Sequence, residues 1–307
     1  MATKYLLTTR LEQVPLDRVA DASTPVVEVL SPHEFADAGL GDADTQEALR
    51  TLSAAQNSYV DMFPDCMIGS FAIPDKRDVL GEPICFAFYL DKMHLIFVDA
   101  GTQCVALLDA IARAGVMKRM TVAHCLFELM KQITKDDLVF LADLEDRMED
   151  VEEAILDRCE NAGNRQMLVF RRKLLRLDTY YQQLVDMGST IAENENKLLT
   201  REESRLFALL ADQADRLLKR SQTLKEYSLQ LRELYQTQIE VQQNDTMKWF
   251  TVITTLFAPL TLITSWFGMN FQNMPGLDTR WGYYVIIALS LAIVIGELIL
   301  FKRKKWL

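Results

Sequence analysis

Two long stretches near the end of the chain carry almost no charge, and they constrain every other reading. Residues 249–277 hold no charged side chain, and residues 281–296 hold none; Glu297 then stands alone before Lys302. A helix needs about 20 apolar residues to cross a bilayer, and both stretches supply that many. In lipid the backbone must satisfy its own hydrogen bonds, so each stretch should be helical. The expected layout is a membrane helix at 249–268, an external loop at 269–281, a second membrane helix at 282–301 and a basic tail at 302–307. Lys248 precedes the first span, and Lys302, Arg303, Lys304 and Lys305 follow the second, while the loop holds only Asp278 and Arg280. Basic residues stay on the cytoplasmic side. A multi-pass protein of the cell (inner) membrane with both termini cytoplasmic is expected. Residues 1–15 contain no apolar signal-peptide core, which agrees.

Charge divides at the same place. Residues 246–307 carry six basic groups against two acids; the preceding residues carry 27 against 41. A basic surface for nucleic acid is therefore not expected, whereas an acidic region that draws cations is consistent with the balance. An acidic surface with no specific role is equally consistent with it. Cys66, Cys85, Cys104, Cys125 and Cys159 form no CxxC pair, as suits a reduced cytosolic domain.

The first 133 residues read as a cytosolic α/β domain. Val26–Leu30, Cys66–Ile73, Ile84–Leu90 and Met93–Val98 are rich in β-branched and aromatic residues and predict strands, the last two joined by a tight turn at Asp91-Lys92. Gln103–Ala114 and Val122–Ile133 repeat apolar residues at three and four and predict helices. Residues 134–199 predict an antiparallel helical hairpin. It opens on a capping sequence at Thr134-Lys-Asp-Asp137 and turns at Asn161-Ala-Gly-Asn164, and its first member is acidic. Between Lys135 and Glu160 there are eleven acids and three basic groups. Such a face is ordinarily a solvated surface; a skirt that attracts cations is the functional reading. Thr200-Arg-Glu-Glu203 has the form of a capping box, and nothing after it breaks a helix before Pro259. A rod from Thr200 to Gly268 would be about 100 Å long at roughly 1.5 Å per residue. It would serve as a stalk at 200–248 that runs into the first span.

Steps of three and four along that rod pick out two lines. One is apolar: Leu210, Leu217, Leu224, Leu231 and Tyr235. The other is polar or small: Thr223, Glu226, Gln230, Glu233, Thr237, Glu240, Asn244, Met247, Thr251, Thr254, Ala258, Thr261, Ser265 and Gly268. If the first line packs, the second faces elsewhere. Small hydroxyl residues within a span also serve close helix packing. The continuation of the line into amides and acids favours a water-filled lumen, and two spans per chain cannot enclose one without several copies. Pro259 leaves the carbonyl of Thr255 without its helical donor; that oxygen either solvates an ion or marks a purely geometric kink.

The first span ends in Trp266-Phe267-Gly268-Met269-Asn270, followed by Met274-Pro275. Asn244 and Met247-Lys248 open it, Phe257-Ala258-Pro259-Leu260-Thr261 lies in its middle, and the chain closes on Lys304-Lys305-Trp306-Leu307. Together these residues resemble the CorA family of magnesium transporters over about residues 233–307. The resemblance implies a funnel-shaped homopentamer in the bilayer, with an α/β cytosolic domain, a long helical stalk and two C-terminal transmembrane helices, the first lining the pore. It implies selection of hydrated Mg²⁺ at an external mouth formed by Gly268, Met269 and Asn270, where a ring of Asn270 carboxamides binds the ion. Mg²⁺ gives up water reluctantly, and a ring of amides can hold its hydration shell without the deep trap of a carboxylate ring. Asn270 as a helix C-cap is the structural counterpart. Matching positions suggest ion contacts at Asn244 and Thr261, a hydrophobic gate at Met247 and Phe250, and a stalk acidic ring at Glu233, with Glu240 below it on the same line. Pore-lining residues are then Asn244, Met247, Phe250, Thr251, Thr254, Ala258, Thr261 and Ser265. Regulation by cytosolic Mg²⁺ is also implied, with Asp212 and Asp215 as the candidate metal residues and no organic cofactor. The chain departs from relatives at Ala258, where some have a bulkier Met, and at Gly276, where an acid often follows Met-Pro.

Glu297 is read as reaching toward the basic cluster that starts at Lys302, although a carboxylate in a span is often functional. No catalytic pattern is visible: His33, His94 and His124 are scattered, and Asp42 with Asp44 falls short of a calcium loop. The nearest rival is a transporter of the same architecture for Zn²⁺, Co²⁺ or Ni²⁺, with proton coupling for zinc. The lack of Cys or His on the polar line argues against soft metals. A rival of another class is a membrane-anchored coiled-coil sensor without a pore.

Overall fold

The computed structural model describes residues 2–8, 10–15, 24–37, 57–115, 117, 119–157, 163–269 and 281–304. They divide into two compact units, Met1–Arg232 and Glu233–Leu307.

The first unit is built on a seven-stranded sheet of β1 (Thr3–Leu7), β2 (Leu11–Val14), β3 (Val26–Leu30), β4 (Tyr59–Met62), β5 (Met67–Ile73), β6 (Ile84–Leu90) and β7 (His94–Val98). Its order is β2-β1-β3-β7-β6-β5-β4. Every neighbouring pair is antiparallel except β3–β7, which run parallel with Val27 opposite Leu95. Four strands match the sequence reading, while β1, β2 and β4 were not anticipated. The β6–β7 connection is a genuine turn: the Asp91 N–H donates to the His94 carbonyl at 3.0 Å, around Lys92 and Met93. The Asp91 carboxylate accepts the N–H groups of Met93 and His94, both at 2.7 Å. This is how Asp fixes a turn that lacks the favoured Gly.

The helices are α1 (Pro32–Asp37), α2 (Gln103–Ala114), α3 (Val122–Thr134), α4 (Asp137–Leu156), α5 (Gly163–Glu193), α6 (Arg201–Phe267) and α7 (Gly282–Arg303). Thr121 caps α3 by accepting the His124 N–H. The capping sequence expected at Thr134–Asp137 does not form. Thr134 belongs to α3, its hydroxyl donates back to the Met130 carbonyl, and Asp136 precedes α4 without a side-chain cap bond. Asp137 is instead buried and paired with Lys76 at 2.6 Å. The expected turn at Asn161–Asn164 begins outside the described residues. Asn194 and Asn196 tie the α5–α6 connection: Asn194 bonds Leu199 through both backbone groups, and the Asn196 amide donates to Phe63 O.

Helices α5 and α6 approach closely at Gly188. A Cβ there would stand 3.0 Å from the Ala211 Cβ and 3.1 Å from its backbone. Glycine inside a helix costs about 1 kcal/mol relative to alanine, and the close contact offsets that. Gly188→Val should therefore destabilise the chain by about 1–3 kcal/mol, the usual range for an overpacked core. Thermal melting of the variant against wild type reads this directly; an unchanged midpoint would show that the two helices separate freely.

Candidate functional site

Helix α6 is anchored at its first turn by a reciprocal cap. The Thr200 N–H donates to Glu203 Oε2 at 2.9 Å, and the Glu203 N–H donates to Thr200 Oγ1 at 3.3 Å. Thr121 adds a bond from its hydroxyl to Glu203 Oε1 at 2.7 Å, linking α3 to this turn. Burial pushes the Glu203 carboxyl upward, but the bonds from Thr121 and Thr200 and the nearby Arg119 outweigh it and hold the group below its ordinary value. Glu203 is 6% exposed and ionised, and it joins two elements distant in sequence.

Leu210, Leu217, Leu224 and Leu231 are all buried, as the heptad pattern predicts, and Tyr235 is half-buried. The acidic helix α4 is only partly a solvated face. Glu145 pairs with Arg220, and Glu152 accepts the Tyr227 hydroxyl, so two of its acids face α6. On α5, Asp178 pairs with Lys225 at 2.7 Å. Asp212 is exposed, and Asp215 is engaged by Lys219 at 2.6 Å. Among the described residues, no group of three or more His, Cys, Asp or Glu side chains is placed to hold a metal. Asp212 and Asp215 therefore make no complete site within one chain.

In the second unit the polar line keeps one character throughout. Glu233, Thr237, Glu240, Asn244, Met247, Thr251, Thr254, Ala258, Thr261, Ser265 and Gly268 are every one exposed, as is Phe250 beside them. Alongside the line, Lys248 pairs with Asp245 at 2.9 Å, a contact at the membrane entry that the sequence reading missed. An i,i+3 charge pair on a helix was the available signal.

The threonines of the line share one hydrogen-bonding state. The Thr251, Thr254 and Thr261 hydroxyls donate to the carbonyls of Met247, Phe250 and Phe257 at 2.8, 2.7 and 2.8 Å. This back-bonding is a general habit of threonine in helices, and Thr246 and Thr264, off the line, share it. On the line it has a chemical consequence. The proton is committed to the helix, so the oxygen presents lone pairs outward. Water bound to a cation turns its hydrogens outward, and those hydrogens need acceptors.

Pro259 lies inside α6. The helical bonds continue past it to Gly268, whose N–H donates to Thr264 O at 2.9 Å. Helix α6 ends at Phe267, with Gly268 and Met269 exposed beyond it, and Asn270 lies outside the described residues. A Cβ on Gly268 would sit 2.9 Å from the Thr264 carbonyl, so the helix end is closed around a residue without a side chain.

Helices α6 and α7 both contain stretches long and apolar enough to cross a membrane. Glu297 on α7 is half-buried, and among the described residues its Oε2 is buried without a hydrogen bond.

The family described as CorA-like Mg²⁺ transporter protein matches residues 37–303. The chain belongs to the CorA family. The cobalt/magnesium transport protein CorA of Thermotoga maritima is 28% identical over 193 residues, which cover 63% of this chain and 55% of that protein. The chain thus spans a little over half the length of that curated CorA relative. The magnesium transport protein CorA of Wolinella succinogenes is 44% identical over 77 residues, 25% of this chain and 24% of its own. The complete structure of the CorA magnesium transporter from Methanocaldococcus jannaschii superposes with a TM-score of 0.78 at 18% identity, covering 100% of this chain and 99% of that one. That likeness establishes the CorA fold: an α/β domain, a long helix and two C-terminal membrane-length helices.

Proposed function

We propose that this chain is one subunit of a homopentameric channel that passes hydrated Mg²⁺ across the cell membrane, with both termini in the cytoplasm. The exposed line from Glu233 to Gly268 on one continuous helix carries the reading. In a ring of five copies that line faces the common axis, and each level presents five identical groups to a passing ion. Glu233 and Glu240 form acidic rings that gather cations from the cytosol. Asn244, Thr251, Thr254, Thr261 and Ser265 offer oxygen acceptors to the hydration shell. Met247 and Phe250 form an apolar level that closes the path by excluding water. Gly268 and Met269 lead to Asn270, whose carboxamides select the hydrated ion at the outer mouth. The line contains neither Cys nor His, which favours a hard cation over zinc. Mg²⁺ regulates the pore through acids between copies, with Asp212 and Asp215 as one half of the site.

Uptake into liposomes holding a Mg²⁺-sensitive dye tests the proposal. The wild-type chain should carry Mg²⁺, and Asn270→Ala should lower the rate at least about tenfold by removing the bonds that hold the hydration shell at the mouth, each worth about 1 kcal/mol. No uptake by a well-folded, reconstituted chain would defeat the channel reading. Unchanged uptake in Asn270→Ala would move selection to another level of the line.

A further inference from the structure

An arginine withdrawn from water usually has an acid or an acceptor to meet it. Arg176 on α5 is half-buried, whereas every other described arginine is exposed. Among the described residues Arg176 makes neither an ion pair nor a hydrogen bond. Two positions on, Asp178 is taken by Lys225 at 2.7 Å.

Arg176 lines a cavity of about 150 Å³ between α5 and the ends of β4, β5 and β6. Ala72, Pro74, Pro83 and the buried Tyr180 give it apolar walls, and no described acid lines it. The Arg176 charge partly offsets the rise that burial imposes on the thiol of Cys85, which pairs with Ala72 across the sheet, so the guanidinium stands near that wall. Glu82, which also acts on Cys85, is exposed and makes no ion pair among the described residues. The amides at the cavity hold one another: Gln183 Nε2 donates to Asn57 Oδ1 at 3.3 Å, and Gln183 Oε1 accepts the Ser58 N–H at 2.8 Å. With its oxygen engaged, Asn57 offers a ligand chiefly its amide N–H groups. Thr179 commits its hydroxyl proton to Leu175 O at 3.1 Å and adds no donor.

We propose that this cavity binds a small carboxylate, held by the Arg176 guanidinium and the Asn57 amide. The guanidinium fork matches a carboxylate with two parallel N–H···O bonds, and Asn57 supplies a third donor from the opposite side of the α5 contact. One cation balances one negative charge. A phosphate dianion would keep a surplus charge in a region that already holds 41 acids against 27 basic groups. The proline and tyrosine walls suit a short apolar tail, and the volume has no room for a long chain. A bound carboxylate bridges α5 to the segment that enters β4, adding to the bond from Ser58 to Gln183 that already joins them. The site lies wholly in the first unit, so it neither needs the transport reading nor supports it.

The test is thermal melting of the full chain in detergent, with sodium acetate titrated against sodium chloride at matched ionic strength. Acetate at about ten times its half-saturating concentration should raise the midpoint by roughly 3–6 °C. Arg176→Gln should abolish the rise. Arg176→Lys keeps the charge but not the fork, and should need about tenfold more acetate for the same rise. Asn57→Ala, at an exposed position, should need about fivefold more, the loss of one hydrogen bond. Without acetate, Arg176→Gln should melt no lower than wild type. A midpoint that acetate leaves unchanged, or raises equally in Arg176→Gln, would refute the site. An equal rise with chloride or inorganic phosphate would refute its choice of a carboxylate. If Arg176→Gln melts several degrees below wild type without acetate, the guanidinium has a partner within the chain and the proposal fails.

Discussion

Replacing Thr254 and Thr261 together by valine should lower Mg²⁺ uptake about a hundredfold while leaving the fold and assembly intact. Valine matches threonine in shape, both positions are exposed in the chain, and neither hydroxyl bonds to another element. The substitution therefore removes two levels of outward-facing oxygen and little else. A hydrogen bond is worth about 1 kcal/mol net. If three of the five hydroxyls at a level touch the ion's water at once, losing them raises the barrier there by about 3 kcal/mol, or two decades at about 1.4 kcal/mol each. Apolar surface in their place also favours expulsion of water from the path. Thr246→Val is the control. Its hydroxyl is back-bonded in the same way, to Gln242 O at 2.9 Å, but it sits two positions from Asn244 and off the line. Its uptake should match wild type. Equal losses in the control and the double variant would show that the hydroxyls act on the helix itself, and the wet axis would lose its main support.

The parts of this molecule legible in its sequence are those governed by one-dimensional patterns. Two uncharged runs set the membrane-length helices, the leucines at 210, 217, 224 and 231 set the packed face of α6, and Thr200 with Glu203 set its start. The polar line is legible as residue type at steps of three and four, whereas its exposure in the spanning part is shared by apolar neighbours such as Ile253, Phe257 and Leu262. Contacts made across the sequence were less accessible. Strands β1, β2 and β4 are short and lie at or beside the ends of the sheet. They are ordered by pairing with neighbours rather than by a strong pattern of their own. Thr134 and Asp137 read as a cap because residue type suggested it, yet the partner that claims Asp137 is Lys76, 61 positions away. Thr254 and Thr255 are adjacent and chemically identical, yet among the described residues only the first of the two donates its hydroxyl back to the helix, to Phe250 O. In the site itself, Asn270 was identified from its neighbours Gly268 and Met269 and lies outside the described residues, so its role stands on the resemblance and on ion chemistry.

The buried pair of Asp137 and Lys76 supports the second large prediction, which concerns stability. The Asp137 side chain is 2% exposed, and Lys76 Nζ lies 2.6 Å from its Oδ1. The same ammonium reaches the Ile133 carbonyl at 3.5 Å, so one lysine serves both the end of α3 and the start of α4. Among the described residues, the other carboxylate oxygen is buried without a hydrogen bond. Burial drives the Asp137 carboxyl above its ordinary 3.8, although the contacts with Lys76 and Tyr181 act in the opposite direction. Lys76→Met removes that cation and leaves the carboxylate enclosed. Breaking a buried pair from one side costs about 3–5 kcal/mol, and the lower end applies because Lys76 is 36% exposed. For a unit of this size, about 3 kcal/mol corresponds to a fall of roughly 6–12 °C in melting temperature. The pH dependence follows from the direction of the shift. The folded chain holds the Asp137 proton more tightly than the unfolded chain, so this group's contribution is fully present below 3.8 and is lost as pH rises through the raised value. Removing Lys76 raises the carboxyl further, and the deficit of Lys76→Met should therefore be larger at pH 8 than at pH 5. Asp137→Asn in the same background should abolish that difference, because no proton is left to exchange. A deficit that stays constant with pH would mean that Lys76 acts through packing of its alkyl chain, and the charge pair would not be what joins α3 to α4.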